Sequence, residues 1–122
     1  YEWISDKEVA QDYDILVRIT LPNDFVSWKD DAIYLDYMTE NSVSIENNSV
    51  DVTLIGSSGV DAQSLDHIST LPGGWERMSL KSLDINECNK AGDSCTLRIS
   101  LTSSMEYFVR VGDITLNYNR SL

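Results

Sequence analysis

The chain has 122 residues, and its 9 basic and 20 acidic residues give a formal net charge of −11 at pH 7. This length fits one domain with a core of its own. The negative charge repels phosphate backbones and anionic lipid surfaces, so we do not expect nucleic acid or a membrane surface as a partner. No stretch approaches the roughly 20 apolar residues of a transmembrane helix, so we do not expect direct membrane insertion. Since the first residues lack the basic and apolar regions of a signal peptide, we expect either a cytosolic chain or one whose targeting segment has been removed.

Alternation of apolar and polar residues with a period of two is the dominant pattern from residue 14 onward, and it is typical of half-buried strands. A loop is expected at residues 25–31, a hinge at Gly112-Asp113, and a brief helix could form within residues 5–12. In chain order, the predicted strands cover residues 14–21, 32–38, 43–45, 50–56, 75–85, 96–103, 107–111 and 114–118.

About eight short strands without helices between them predict an all-β fold, an antiparallel β-sandwich of jelly-roll type. Residues 13–122 are expected to form this single domain. Residues 1–12 form a separable N-terminal arm, which could pack as an edge or donor strand, hang free, or insert into a neighbouring molecule. The arm holds the apolar residues Trp3, Ile4 and Val9 among charged ones.

Two cysteines, Cys88 and Cys95, bracket the polar turn-forming run "NKAGDS". This spacing predicts a local disulfide worth about 2 to 2.5 kcal/mol, and with it an oxidising compartment such as the cell exterior. The alternative is two free thiols in a cytosolic loop. The sequons at Asn47 and Asn119 permit glycosylation.

Catalytic residues are not indicated by the sequence. The single histidine, His67, stands near Asp66 and two serines, but no Gly-x-Ser-x-Gly motif exists, and strand neighbours point to opposite faces. We therefore expect His67 to be a solvated loop residue and the protein not to be an enzyme. Among 20 acidic residues, any particular pair of carboxylates is uninformative.

Calcium is the one cofactor for which the sequence offers ligands. Asp24, Asp30 and Asp31 supply hard oxygen ligands in one region, and Asp113 could approach them. The alternative interpretation is a solvated acidic loop, and no other cofactor is expected.

Sugar binding by a β-sandwich requires exposed aromatic rings flanked by polar side chains. Trp28 and Trp75 are candidates for stacking on a ligand. Each stands where a predicted strand begins, however, and an aromatic residue that caps the core is commoner there. Trp3 lies in a segment without an evident sheet of its own, which makes it a candidate anchor in another subunit.

Three motifs carry a resemblance to a known group of proteins. They are the start "LPNDFVSW", the strand "VDVTL" with its Gly-Ser turn, and the closing "VRVGDITLNY". Together they resemble jelly-roll modules of bacterial cell-surface proteins, which are loosely related to galactose-binding-like domains and carbohydrate-binding modules. The resemblance implies a display or stalk role and assigns no catalytic residue.

These observations favour a non-enzymatic extracellular structural module. It would be a subunit of a cell-surface or filamentous assembly, joined to copies of itself or other surface subunits by β-strand addition through residues 1–12. The alternative is a carbohydrate-binding or adhesive module with glycans as partners. A virion surface protein and a small hydrolase are the remaining alternatives.

Overall fold

The computed structural model describes residues 1–40, 47–59, 61–68, 74–81 and 88–122, with the backbone alone for 61–68 and Lys81. The predicted strand at residues 43–45 and the end of the one at 75–85 lie outside these ranges. Within them, no helix is long and apolar enough to cross a membrane.

The described residues form eight strands: β1 Glu2–Trp3, β2 Gln11–Thr20, β3 Phe25–Thr39, β4 Ser49–Ile55, β5 Asp61–Ile68, β6 Glu76–Lys81, β7 Ser94–Ser103 and β8 Val109–Arg120. They pack as two four-stranded antiparallel sheets, with orders β1-β8-β3-β6 and β2-β7-β4-β5. The first strand pairs with the last, the second with the seventh, the third with the sixth and the fourth with the fifth, which is the topology of a jelly roll. The predicted fold class is therefore confirmed.

The core forms where apolar and polar residues alternate most regularly along the strands. On β7, Leu97, Ile99 and Leu101 are fully buried, and on the neighbouring β4, Val50 and Leu54 are buried as completely. Burial of such a side chain contributes about 1.5 to 3 kcal/mol. On these two strands one face therefore holds the sandwich together, while the opposite face of β7 carries polar residues.

Strand β3 is longer than predicted, because it includes the expected loop at residues 25–31. Between Trp28 and Ile33 the strand advances five positions while the paired β8 advances two, from Tyr118 to Leu116. The extra residues form a bulge that carries the charged run "KDD". The predicted loop is thus a distortion within one strand.

The expected hinge at Gly112-Asp113 is also a β-bulge. Leu35 pairs with Ile114 and Tyr37 with Val111, so two residues of β8 stand opposite the single residue Asp36. The last strand is therefore one element of 12 residues, where the sequence predicted two strands.

The predicted disulfide is confirmed: Cys88 and Cys95 are bonded, with a Cα–Cα distance of 5.8 Å, and both are buried in the core. Trp28 lies against this loop, since its indole Nε1 donates to the carbonyl of Cys88 at 2.8 Å. Its ring also meets Phe25 edge-on at 5.3 Å between centroids. The core-capping interpretation of Trp28 therefore fits its half-buried position.

Candidate functional site

The N-terminal arm lies at the edge of one sheet, where β1 pairs antiparallel with β8. Glu2 stands opposite Arg110, and their side chains form an ion pair. The amide of Val111 donates to the carbonyl of Tyr1 at 3.0 Å, and the amino group of Tyr1 donates to the carbonyl of Val111 at 2.9 Å. Backbone hydrogen bonds therefore hold the start of the arm to the sheet.

The middle of the arm covers the turn between β7 and β8. The carbonyls of Ser5 and Lys7 accept hydrogen bonds from the amides of Glu106 (2.7 Å) and Met105 (2.8 Å). Glu106 and Met105 have positive φ angles of 65° and 51°, a region that costs energy for residues other than glycine. The arm thus stabilises a turn that the sequence does not favour by itself.

The three predicted anchor residues of the arm differ in their surroundings. Trp3 stacks on Tyr13 with 5.3 Å between ring centroids, and its Nε1 donates to the carbonyl of Gln11 at 3.0 Å. Ile4 and Val9 are 47% and 76% exposed. Residues 7–9 form a bend and β2 begins at Gln11, so the brief helix expected within residues 5–12 is wrong.

Trp75 lies at the surface, 54% exposed, and not in the core as its place near a strand start suggested. Its ring covers Gly112 at the β8 bulge, where a Cβ would come within 3.4 Å of Trp75 Cζ3. Asp36, Arg77 and Asp113 line the same depression.

A network of polar contacts surrounds this tryptophan. Arg77 Nε donates to Asp36 Oδ1 at 2.9 Å, and the guanidinium lies 5.2 Å from the ring centre of Tyr34. The hydrogen bond and charge of Asp36 raise the pKa of Arg77. Burial, together with Asp31, raises the pKa of Tyr34. An exposed indole flanked by fixed polar groups is suited to stack on a sugar ring.

The four candidate calcium ligands do not gather in one place. Asp30 and Asp31 line a shallow depression with Lys29 and Asn117, whereas Asp113 lies beside Trp75. Asp24 occupies the turn before β3, where its carbonyl accepts from the amide of Ser121. The described ranges contain no group of three or more His, Cys, Asp or Glu residues that could hold a metal ion.

The two predicted glycosylation sites differ in access. Asn119 is exposed on β8 and its Nδ2 donates to Ser27 Oγ at 3.1 Å. Asn47 is half-buried, and Ser49, the third residue of its sequon, is fully buried. His67 lies in strand β5, so its expected place in a loop is wrong; its side chain is outside the described part.

Asn48 is a buried polar residue that the sequence did not single out. Its Oδ1 accepts from the amide of Glu40 at 2.8 Å, and its Nδ2 donates to the carbonyls of Tyr107 (3.2 Å) and Phe108 (3.0 Å). The side chain therefore joins the end of β3 to the connection before β8. An asparagine in a polar run gives no signal for such a role.

No protein-family model and no curated protein matches the chain. Among solved structures, it is similar to a chain in the structure of infectious bursal disease virus, Gx strain, with 14% identity and a TM-score of 0.34. The match covers 95% of this chain and 31% of that chain, so this chain spans about a third of the other's length.

Proposed function

We propose that the protein is a non-enzymatic structural module of the cell exterior or cell surface, and that it assembles with copies of itself by β-strand addition through residues 1–12. The observation that carries this proposal is the attachment of the arm by backbone hydrogen bonds at a sheet edge while Ile4 and Val9 remain exposed. The disulfide supports an oxidising environment.

Strand addition uses contacts that do not depend on which copy supplies the strand. The arm of a second copy can make the same hydrogen bonds to Val111, Met105 and Glu106 that the chain's own arm makes. Exposed apolar residues are concentrated near the arm. Of nine exposed large apolar residues in the described ranges, five lie within the first 16 positions: Tyr1, Ile4, Val9, Tyr13 and Leu16.

The double substitution Ile4→Ser and Val9→Ser is expected to lower the mass of the assembled species, because both side chains are exposed and would contact the neighbouring copy under this proposal. The measurement is light scattering after size exclusion over a range of protein concentrations. Leu122→Ser is the matched control, since it removes an exposed apolar side chain far from the arm in sequence and should leave the mass distribution unchanged. A chain without residues 1–9 that assembles like the intact chain would contradict the proposal.

A second candidate function, binding of carbohydrate, is favoured by the exposure of Trp75 over Gly112. An indole face that rests on a glycine presents its opposite face to a ligand. Asp36 and Arg77 are fixed beside it by their ion pair and could accept from and donate to sugar hydroxyls.

Under this second function, Trp75→Ala should abolish binding on a glycan array and leave the melting temperature nearly unchanged, because the side chain is largely exposed. Trp28→Ala is the comparison. It should destabilise the fold by about 3 kcal/mol, because Trp28 packs against the core and donates to Cys88. An intact chain that binds no glycan on the array would rule out this function.

A further inference from the structure

Within the described ranges, most of the outer edge of β8 has no paired strand. β1 pairs with Val109 and Arg110, and Tyr1 bonds to Val111. From Gly112 to Arg120, no described strand pairs with β8 on the side opposite β3. A strand edge of this length can hydrogen-bond to another strand.

The middle of this edge lacks the charges that keep strand edges apart. Residues 114–119, "ITLNYN", contain no charged side chain and no proline. The other long edge strands are charged: β2 contains Asp12, Asp14 and Arg18, β5 contains Asp61 and Asp66, and β6 contains Glu76, Arg77 and Lys81. Natural sheets protect free edges with such charges, which indicates that the β8 edge is normally covered.

The core is also incompletely closed beside this edge. Ile114, Leu116 and Tyr118 of β8 face the core but are only half-buried, like Ile15 and Val17 of β2. On the strands one position further inside, Ile33, Leu35, Leu97 and Ile99 are at most 2% exposed. An apolar seam therefore runs along the open side of the sandwich.

We propose that this edge pairs with the same edge of a second copy, antiparallel about a two-fold axis at Leu116. Such pairing joins two four-stranded sheets into one of eight. It goes beyond the proposed function, because it uses a surface distinct from the arm and yields a closed pair.

The edge is self-complementary in this register. On the core face, Ile114 meets Tyr118 of the second copy and the two Leu116 side chains meet each other, which covers the seam. On the outer face, Asp113 meets Asn119 of the second copy and Thr115 meets Asn117. Residues 112–120 carry one acid and one base, so two copies can approach here despite the net charge of −11. A glycan on Asn119 would block this approach.

Two substitutions at one position test the pairing. Asn119→Asp places a second carboxylate opposite Asp113 of the other copy at each end of the paired strands, and it should weaken dimerisation about tenfold. Asn119→Lys places an ammonium group opposite the same Asp113 and should strengthen dimerisation. Ser57→Lys is the control for net charge, since Ser57 is exposed in the β4–β5 turn, and it should not reproduce the gain. Sedimentation equilibrium gives the dimer dissociation constants. A chain that stays monomeric up to millimolar concentration, or a dimer indifferent to residue 119, would overturn the proposal.

Cysteine cross-linking tests the register. Leu116→Cys should give a covalent dimer under oxidation, because antiparallel partners that face each other lie within disulfide reach. The native cysteines are bonded to each other, so the new thiol is free to react with its copy. Thr115→Cys alone should cross-link less than Leu116→Cys. A mixture of Thr115→Cys chains with Asn117→Cys chains should cross-link efficiently, because these two positions face each other in the proposed register.

If Ile4→Ser with Val9→Ser abolishes larger assemblies but leaves the Leu116→Cys dimer, the two interfaces are separate. Equal cross-linking at 115 and 116 would refute the two-fold register.

Discussion

Replacing Asn48 with alanine is expected to lower the free energy of unfolding by about 3 kcal/mol. The substitution removes the hydrogen bonds of Asn48 to the amide of Glu40 and to the carbonyls of Tyr107 and Phe108. The bond from the Glu40 amide to the Phe108 carbonyl (3.2 Å) and the bond from Ser103 Oγ to the Tyr107 carbonyl (2.6 Å) remain. Because Asn48 is fully buried, water does not replace these hydrogen bonds at low cost. Urea denaturation followed by tryptophan fluorescence measures the loss.

Asn47→Ala is the matched control for this substitution. Asn47 adjoins Asn48 but is half-buried, and its backbone carbonyl, which accepts from Ser104 Oγ, is retained in alanine. We expect this variant to lose less than about 1 kcal/mol. Equal losses for the two variants would contradict a specific bridging role for Asn48.

Removing the disulfide by the double substitution Cys88→Ala and Cys95→Ala is expected to cost about 2.5 kcal/mol, because the unfolded chain regains the entropy of a small loop. Loss of the disulfide also affects the core, because Cys88 and Cys95 are both buried and the carbonyl of Cys88 accepts a hydrogen bond from Trp28. The measurement is the urea midpoint of the intact chain with and without a reductant.

The double alanine variant supplies the control, because a reductant should not change its urea midpoint. If the intact chain also keeps its midpoint after both thiols have been shown to be free, the disulfide does not stabilise the fold and the expectation fails.

Much of the architecture could be predicted because apolar and polar residues alternate along the sequence wherever the strands pair without bulges. On β7 and β4 the apolar residues of the pattern are the buried ones, including Leu97, Leu101 and Val52. The pattern fails at the bulges between β3 and β8, where three extra residues in β3 and one extra residue in β8 shift the face of the side chains that follow. A charged run and a Gly-Asp pair then look like loops or turns in the sequence.

The candidate site was harder to predict from the sequence than the fold. The sequence predicts the same local setting for Trp28 and Trp75, a turn followed by a strand, yet Trp28 is half-buried against Cys88 and Trp75 covers Gly112 at the surface. Only the pairing of distant strands decides between these positions. The cysteine pair was predictable because its partners are seven residues apart and spacing alone restricts the geometry.

The arm connects the fold to the proposed assembly. It lies on its own domain through backbone hydrogen bonds at Val111, Met105 and Glu106, and the same bonds can form between copies. Exchange of the arm re-forms these contacts between copies and allows the exposed Ile4 and Val9 to contact the neighbouring copy. It requires that Trp3 leaves the ring of Tyr13 and the carbonyl of Gln11, or that these residues move together.

Cross-linking between Glu2→Cys and Arg110→Cys chains tests this account most directly, because residues 2 and 110 stand opposite each other in the sheet. Chains that carry one substitution each are mixed, oxidised and separated without reductant. Assembly through the arm predicts a mixed covalent dimer, since an exchanged arm brings the introduced thiol at position 2 of one copy to the introduced thiol at position 110 of another. A single chain with both substitutions gives the reference for a link within one copy. Efficient closure in that chain with no mixed dimer at any concentration would contradict assembly through the arm.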